Sequence, residues 1–236
     1  MPLTFISLLS GGLDSTVATY AAQKELGSGE ALFCDYGQKA VKRELQAARR
    51  LTKLLRMPLE VIRLPFLEAV TKTALVMNEK VIPQVKGTQL DDRSETEKSA
   101  QQVWVPNRNG LMLNIAAALA EGKGLTHIVV GFNSEEAVTF PDNSANFLNK
   151  AEEFFSYSTQ KGLKVLAPTI ACNKHEIVQL GRQLQVPFEE VWSCYHGGRK
   201  QCGSCESCQR SIRAYAQAGI LHDLQSRFNL EEKGGW

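Results

Sequence analysis

The feature that most constrains the fold is a glycine pair set between an apolar run and a helix-type run. Thr4–Leu9 is apolar and strand-like, Ser10–Ser15 has the sequence Ser-Gly-Gly-Leu-Asp-Ser, and Thr16–Ala22 has helix-type composition. Glycine lets the backbone approach an anion closely because no Cβ intervenes. The free N–H groups of a first helical turn carry partial positive charge and face the same point. The segment therefore predicts a strand–turn–helix cradle for an anion, expected to be a nucleotide phosphate, to which the hydroxyls of Ser10 and Ser15 can donate.

This string differs from two common nucleotide-binding motifs. The first lysine of the chain is Lys24, so no lysine follows the glycines as G-x-x-x-x-G-K-[ST] requires, and the spacing is not G-x-G-x-x-G. The S-G-G-x-D-S string resembles instead the PP-loop of the ATP pyrophosphatases, which cleave ATP between its α and β phosphates. A plain glycine turn between a strand and a helix is the alternative interpretation.

Composition indicates an ordinary globular protein. The chain has 236 residues, of which 43% are hydrophobic and 22% charged, and this length fits one large domain or a domain with an appendage. The net charge of +2 is too small to predict nucleic-acid binding. No apolar run approaches the roughly 18 residues of a membrane span, and no basic segment precedes the first apolar run. We therefore expect no membrane span, no signal peptide and a cytoplasmic location.

Strand-like and helix-like runs alternate, which predicts a parallel sheet covered by helices. The predicted strands are Thr4–Leu9, Glu30–Cys34, Leu59–Leu64, His127–Gly131 and Lys164–Ala167. Helices are predicted up to Leu26, over Val41–Leu55, around Leu111–Ala118, and over Asn143–Tyr157 and Asn173–Leu184. We predict an α/β fold with a Rossmann-like open parallel sheet and helices on both faces, similar to the adenine nucleotide alpha hydrolases. This domain is expected over residues 1–190, with a small C-terminal module over 191–236.

One segment lacks a clean period. Residues 65–103 contain a polar run over 91–98, and a segment this long is usually functional or disordered. A mobile lid, an interface segment and a solvated insertion are all compatible with it.

Polar residues follow three of the predicted strands, at Ser10–Ser15, Asp35–Gln38 and Asn133–Glu136. Open parallel sheets bind ligands beyond the carboxyl ends of their strands, so these loops predict a single active site.

The C-terminal module is marked by cysteines. Four of the six have the composition of a tetrahedral structural zinc site: Cys194, Cys202, Cys205 and Cys208. An iron–sulfur cluster, disulfides and replacement of one ligand by His196 are the alternatives. Cys34 and Cys172 are expected to be small buried hydrophobic residues. A helix predicted over Cys205–Ala218 carries Arg210 and Arg213, which predict either a basic face for a partner or a solvated one.

Several strings together point to one family. They are Leu9–Ser15, Asp35–Gln38 with Arg43–Leu45, Val105–Asn109, Gly131–Asn133, Phe140–Asp142, Lys174–Ile177, and Trp192–Gly198 joined to the cysteine pattern. With them the chain resembles the 7-cyano-7-deazaguanine synthases of queuosine and archaeosine precursor synthesis over nearly its whole length. Many members carry a Tyr-Ser-Gly-Tyr-Pro-Asp-Cys-Arg type stretch. This chain has Glu135–Ser144 in that place, which keeps Pro141-Asp142 and lacks the arginine.

The resemblance implies a reaction and a set of site residues. ATP would adenylate the carboxylate of 7-carboxy-7-deazaguanine, ammonia would give the amide, and a second activation would give the nitrile. The implied catalytic residues are Asp14, Arg108 and Lys174. The implied ATP contacts are Leu8, Leu9, Ser10, Gly11, Gly12, Leu13, Asp14, Ser15, Thr16, Val17, Ala18 and Asp35. The implied substrate contacts are Asn133, Glu136 and Asp142.

The resemblance also implies Mg²⁺ with ATP, structural Zn²⁺ on the four cysteines, and a homodimer that forms no stable nucleic-acid complex. Two alternatives stand beside it. Another PP-loop adenylating enzyme, such as a tRNA thiolase, would need a sulfur-carrying cysteine near ATP, for which Cys34 is the candidate. A nucleic-acid-binding zinc module is the second alternative, and the near-neutral charge argues against it.

Overall fold

A five-stranded parallel sheet forms the centre of the structure, a computed structural model that describes residues 3–230. Its strands lie in the order β3-β2-β1-β4-β5, and every neighbouring pair is parallel. They are β1 (Phe5–Leu8), β2 (Gly29–Asp35), β3 (Leu59–Arg63), β4 (His127–Val129) and β5 (Lys164–Leu166). The predicted open parallel sheet is confirmed. The middle strands β1 and β2 are buried on both faces, which is why their sequences are almost continuously apolar.

Helices cover both faces of this sheet. They are α1 (Leu13–Leu26), α2 (Val41–Leu55), α3 (Pro65–Val70), α4 (Arg93–Val103), α5 (Arg108–Gly122), α6 (Ser134–Ala137), α7 (Ala145–Ser158), α8 (Lys174–Gln183), α9 (Glu206–Gln217) and α10 (Leu221–Leu224). Successive side chains of a strand point to opposite faces. Ile6 and Leu32 accordingly join the core with residues of α5 and α7, while Phe5 and Phe33 pack with those of α1 and α2.

A third apolar cluster joins the C-terminal segment to the sheet domain. Val17 of α1, Ile177 of α8 and Ile212 of α9 are all completely buried in it. The backbone N–H of Trp192 donates to the carbonyl of Gly11 at 2.8 Å, so the segment after residue 190 packs directly on the glycine loop. The predicted division of the chain at residue 190 stays a prediction.

The segment over residues 65–103 is more ordered than its sequence predicted. It contains α3, a short 3₁₀ turn over Gly87–Gln89, and the three-turn helix α4. Asp92 caps α4 by accepting the N–H of Ser94 at 2.9 Å. The buried face of α4 includes Thr96 and Ser99, and polar residues on a buried face weaken the apolar period that would have revealed the helix.

None of the helices within residues 3–230 is both long enough and apolar enough to cross a bilayer.

Candidate active site

The loops that follow β1 and β4 meet where the strand order reverses, which is where ligands bind in open parallel sheets. Two glycines allow close approaches at this point. A Cβ on Gly131, after β4, would lie 2.4 Å from the backbone nitrogen of Ser15. Gly11 has φ +82°, and a Cβ there would lie 2.8 Å from the Cβ of Ala47. Glycine at 131 therefore lets the first turn of α1 lie against the loop after β4, and glycine at 11 lets the loop after β1 lie against α2.

The Ser10–Ser15 loop has the strand–turn–helix geometry predicted for an anion cradle. Gly12 caps α1 without a side chain, so the N–H groups of Asp14 and Ser15 have no intrahelical acceptor and could donate to an anion. The hydroxyls of Ser10 and Ser15 lie 3.0 Å apart at its rim. The N–H of Leu13 donates to Ser193 Oγ at 3.2 Å, so the C-terminal segment supplies a group that was not predicted as a site residue.

A cluster of ion pairs around the buried Lys174 lies beside the cradle. Lys174 Nζ is 2.5 Å from Asp14 Oδ2 and 2.5 Å from Glu136 Oε1, although Lys174 and Asp14 are 160 positions apart in sequence. Burial raises the pKa of Asp14 to about 6, while the charge of Lys174 opposes this shift. Burial disfavours the ammonium of Lys174, yet Asp14 and Glu136 raise its pKa above the ordinary value. Among residues 3–230, Asp14 Oδ1 is a buried oxygen without a hydrogen-bond partner.

A cavity adjoins this cluster and is lined by both polar and aromatic residues. Its walls include parts of the glycine loop and segments 103–109, 130–143 and 192–195. Among the lining residues, the rings of Trp104 and Phe140 are parallel to within 5°, with their centroids 6.1 Å apart. The aromatic rings and the polar groups around them form a site suited to a flat heteroaromatic ligand.

Arg108 is the cationic group on the cavity wall. Its Nη1 donates to the Tyr36 hydroxyl at 3.3 Å, its Nε donates to Asn109 Oδ1 at 3.2 Å, and its guanidinium carbon lies 5.8 Å from the Tyr36 ring centroid. Asp142 lines the same wall, where burial raises the pKa of its carboxyl and the charge of Arg108 opposes the rise. The predicted residues Arg108, Asp142 and Glu136 are thus brought to one cavity.

A further carboxyl on the wall was missed as a site residue. Glu44 Oε2 accepts a hydrogen bond from Gln38 Nε2 at 2.9 Å, and Gln38 Oε1 accepts the N–H of Tyr36 at 2.9 Å. Burial raises the pKa of Glu44 to about 7, although the hydrogen bond from Gln38 lowers it. In the sequence Glu44 was noted only within the Arg43–Leu45 string; in the structure it lies in the first turn of α2, shortly after the loop that follows β2.

Several residues predicted to contact ATP or substrate have other local roles. Asp35 is not on the cavity wall; its Oδ1 accepts the N–H of Gly37 at 3.1 Å and stabilises the turn after β2. Val17 and Ala18 are fully buried in the core, which leaves no side-chain contact with a cavity ligand. The buried side chain of Asn133 caps α6 by accepting the N–H of Glu136 at 2.9 Å.

The four cysteines of the C-terminal module form one cluster. Their sulfur atoms all lie within 4.8 Å of one another, and three of the four residues are buried. Cys202 Sγ and Cys208 Sγ are 3.8 Å apart, far longer than a disulfide at about 2.05 Å. Sulfurs bound at about 2.3 Å around a tetrahedral ion would be about 3.8 Å apart, so this donor set fits a thiolate-bound metal. His196 contributes a backbone N–H to Cys194 Sγ at 3.3 Å, and within the described chain the cluster contains only the four cysteines.

The arginines of α9 differ from their predicted role. Arg210 does not lie on a solvated or partner-binding face; it is buried and pairs with Glu206 and Glu135. Arg213 is partly buried and pairs with Glu135 at 2.8 Å. The carboxylate partner Glu135 lies on another element, so the sequence around α9 alone did not reveal the pairing.

Three features define a nucleotide-binding protein of the PP-loop class. They are the sheet order, the glycine loop after β1, and the charged cavity at the point where the strand order reverses. The fold resembles a 4-thiouridine synthetase solved as an RNA complex with bound ATP, with a TM-score of 0.54 and 18% identity over 94% of this chain and 52% of that one. The chain thus spans about half of that larger protein, and the likeness shows a shared fold.

Sequence comparison identifies the family. A protein-family sequence model described as queuosine biosynthesis protein QueC matches residues 4–219 of this chain. A 7-cyano-7-deazaguanine synthase of Methanosarcina mazei is 45% identical over 95% of this chain and 99% of the relative. That of Desulforamulus reducens is 47% identical over 96% of this chain and 99% of the relative. The chain belongs to the queuosine biosynthesis protein QueC family, which confirms the resemblance found from its motifs.

Proposed function

We propose that the protein is a 7-cyano-7-deazaguanine synthase, an ATP-dependent ligase that forms a carbon–nitrogen bond. It converts 7-carboxy-7-deazaguanine and ammonia to 7-cyano-7-deazaguanine. The observation that carries this proposal is one cavity whose wall contains both the glycine loop and a parallel aromatic pair. Such a cavity can hold the phosphates of ATP against the carboxylate of a flat heteroaromatic acid, and its QueC relatives bear the corresponding name.

The first activation turns a poor leaving oxygen into a good one. A carboxylate oxygen of the acid attacks the α-phosphorus of ATP, the bond to the bridging oxygen breaks, and pyrophosphate leaves. The amides of the glycine loop and the ammonium of Lys174 stabilise the charge that develops on the phosphates. Asp14 Oδ1, which has no hydrogen-bond partner among the described residues, is the proposed oxygen ligand for the Mg²⁺ that accompanies ATP.

Ammonia then attacks the carbonyl carbon of the acyl-adenylate. The carbon–nitrogen bond forms, AMP departs with the former carboxylate oxygen, and a proton is released to give the amide. In the second activation the amide oxygen attacks the α-phosphorus of another ATP, the bond to the bridging oxygen breaks, and a second pyrophosphate leaves. Loss of two protons from nitrogen and departure of AMP with that oxygen leave the nitrile. Glu44, whose pKa is about 7, is the proposed proton acceptor on the cavity wall.

The aromatic pair is proposed to recognise the base. Trp104 and Phe140 provide a stacking surface, and the carboxylates of Glu136 and Asp142 on the same cavity wall can accept hydrogen bonds from the guanine-like edge. Arg108 is proposed to pair with the carboxylate or with the phosphate that becomes attached to it. In this proposal each predicted catalytic or substrate-binding residue on the cavity wall contacts a different group of ATP or of the acid.

Replacing Trp104 with leucine is expected to weaken binding of the acid selectively. Stacking of a base on an aromatic side chain contributes about 1–3 kcal/mol, so the KM for 7-carboxy-7-deazaguanine should rise about five-fold to 150-fold. The KM for ATP should stay within about twofold, because Trp104 is proposed to contact the acid and not ATP. Trp104→Phe is the matched control that keeps a ring. An equal rise in both KM values, or no rise for the acid, would contradict this assignment.

The four-cysteine cluster is proposed to hold one Zn²⁺ per chain. Four thiolates with tetrahedral spacing suit this ion, and backbone N–H groups of His196 and Cys202 donate to Cys194 Sγ at 3.3 and 3.2 Å. The ion would join Cys194 and Cys202 to the start of α9, where Cys205 is the cap. Its role in this proposal is structural, since the cluster contributes no residue to the cavity wall.

A thiolase mechanism has less support. It would need a nucleophilic or sulfur-carrying cysteine, and Cys34 does lie on the cavity wall. Burial, however, raises the pKa of Cys34 to about 12, so its thiol stays protonated and unreactive near neutral pH.

We also propose that the protein is a cytoplasmic homodimer and that it forms no stable complex with nucleic acid. The net charge of +2 supports the proposed lack of nucleic-acid binding.

The proposed chemistry specifies how ATP is cleaved. With ammonium, MgATP and 7-carboxy-7-deazaguanine, the purified protein should release AMP and pyrophosphate only when the acid is present. Chromatography of the nucleotides distinguishes this outcome from others. Release of ADP and phosphate, or AMP formation that is independent of the acid, would contradict the adenylation route.

A further inference from the structure

Glu135 connects the cysteine-bearing helix α9 to the first residue of α8. Its Oε1 accepts hydrogen bonds from Arg210 Nη1 and from Arg213 Nη2, the latter at 2.8 Å. Its Oε2 accepts the backbone N–H of Lys174 at 3.0 Å. One oxygen therefore faces α9 while the other fixes the residue whose ammonium lies at the anion cradle.

This connection is largely shielded from solvent. The side chain of Arg210 is 7% exposed and that of Glu135 is 17% exposed. Arg210 also donates to Glu206 Oε1 from Nε at 3.0 Å and from Nη2 at 2.8 Å. Burial opposes ionisation of Glu135, but the Lys174 N–H and the charge of Arg210 lower its pKa below the ordinary value. Buried ion pairs contribute little net stability after desolvation, but their geometry can restrict how elements are placed.

The neighbouring carboxylates of α6 act on the two ends of the same lysine. Glu135 holds its backbone N–H, and Glu136 pairs with its ammonium at 2.5 Å. The ammonium also pairs with Asp14 of the glycine loop. Because Cys205 caps α9 and Cys208 lies in its first turn, the cysteine cluster determines where the arginines of α9 are held. The contacts form a continuous path from the cysteine cluster to the anion cradle.

We propose that Glu135 is a positioning residue, held by Arg210 and Arg213, which places the Lys174 ammonium against Asp14 and thereby sets the affinity for MgATP. The inference rests on one part of the proposed function, namely that the glycine loop binds ATP. It does not depend on which acid is activated.

The test measures MgATP affinity by isothermal titration calorimetry, without any acid acceptor. Arg210→Met keeps an apolar stem and removes the charge, while Glu135→Gln removes the charge of the bridging group. Residues coupled in one network interact by about 0.5–3 kcal/mol, so each change should raise the Kd by about twofold to 150-fold. In a Lys174→Met background neither change should raise the Kd further, because both are proposed to act through Lys174.

A matched control removes a different arginine–glutamate pair. Arg50 Nη1 lies 2.9 Å from Glu190 Oε2, and the Arg50 side chain is 56% exposed. Arg50→Met should change the Kd by less than about twofold, because exposed pairs contribute little. Thermal unfolding and bound metal are measured for every variant, and Glu135→Gln provides the test if Arg210→Met yields no folded protein.

Two results would overturn the inference. The first is an unchanged Kd in both variants, or a wild-type protein that does not bind MgATP. The second is an equal loss of affinity in the wild-type and Lys174→Met backgrounds, which would indicate a general structural effect. If the coupling holds but no nitrile is formed in the presence of the acid, the positioning role stands and the proposed substrate is wrong.

Discussion

Replacing Lys174 with methionine is expected to lower the rate of AMP release about 10²-fold to 10³-fold, the range found when one preorganised charge-stabilising donor is removed. Lys174 is 7% exposed and lies between Asp14 and Glu136. Methionine has similar length but no charge, so two partly buried carboxylates would face each other and the incoming phosphates. The Kd for MgATP should rise in parallel. Steady-state AMP release and calorimetric titration measure the two effects.

The matched control for this variant is Lys164→Met. Lys164 Nζ lies 2.6 Å from Glu152 Oε1, but its side chain is 66% exposed and lies away from the cavity. The control should keep both the rate and the ATP affinity within about twofold, since exposed ion pairs contribute little. A Lys174→Met protein that releases AMP within tenfold of the wild-type rate would show that the ammonium is not part of the activation step.

Replacing Cys205 with serine is expected to abolish metal binding and to leave little soluble folded protein. Cys205 is buried, caps α9 and contributes one of the four clustered sulfurs. Structural zinc supplies about 10–16 kcal/mol of apparent binding free energy in small zinc domains, and a fold that incorporates the site loses much of it with one thiolate. Elemental analysis should find about one zinc per wild-type chain, and circular dichroism should follow the folded fraction.

Cys172→Ser is the control for this loss. Cys172 is a half-buried free cysteine outside the four-sulfur cluster, so its variant should keep the metal and the fold. A Cys205→Ser protein that is free of metal and unfolds at the wild-type temperature would contradict a structural role for the ion. Iron in place of zinc in the wild-type protein would contradict the identity of the metal.

The parts of the site that could be predicted are those that lie in short continuous segments. Ser10–Ser15 contains its own strand end, turn and helix start, so local backbone chemistry was enough to predict the cradle. The cysteine spacing is equally local, because Cys202, Cys205 and Cys208 lie within one turn and the start of a helix. In the structure the glycine turn leads directly into α1, and the four cysteine sulfurs lie together.

The remaining parts depend on contacts between distant segments. Trp104 and Phe140 form one aromatic pair only because the chain just after α4 and the chain just after α6 line the same cavity. Glu135 reaches Arg210 across a sequence separation of 75 residues. No periodicity or spacing records such pairs, so Glu44, Trp104 and Phe140 were not predicted as site residues and Arg210 was given a surface role.

The most direct test of the proposed function is the identity of the product. Wild-type protein is incubated with 7-carboxy-7-deazaguanine, MgATP and ammonium that carries heavy nitrogen, and the products are analysed by mass spectrometry. The expected product is 7-cyano-7-deazaguanine with the heavy nitrogen in its nitrile, formed together with AMP. Accumulation of the amide alone would contradict the proposed second activation, and absence of both the amide and the nitrile would contradict the proposed function itself.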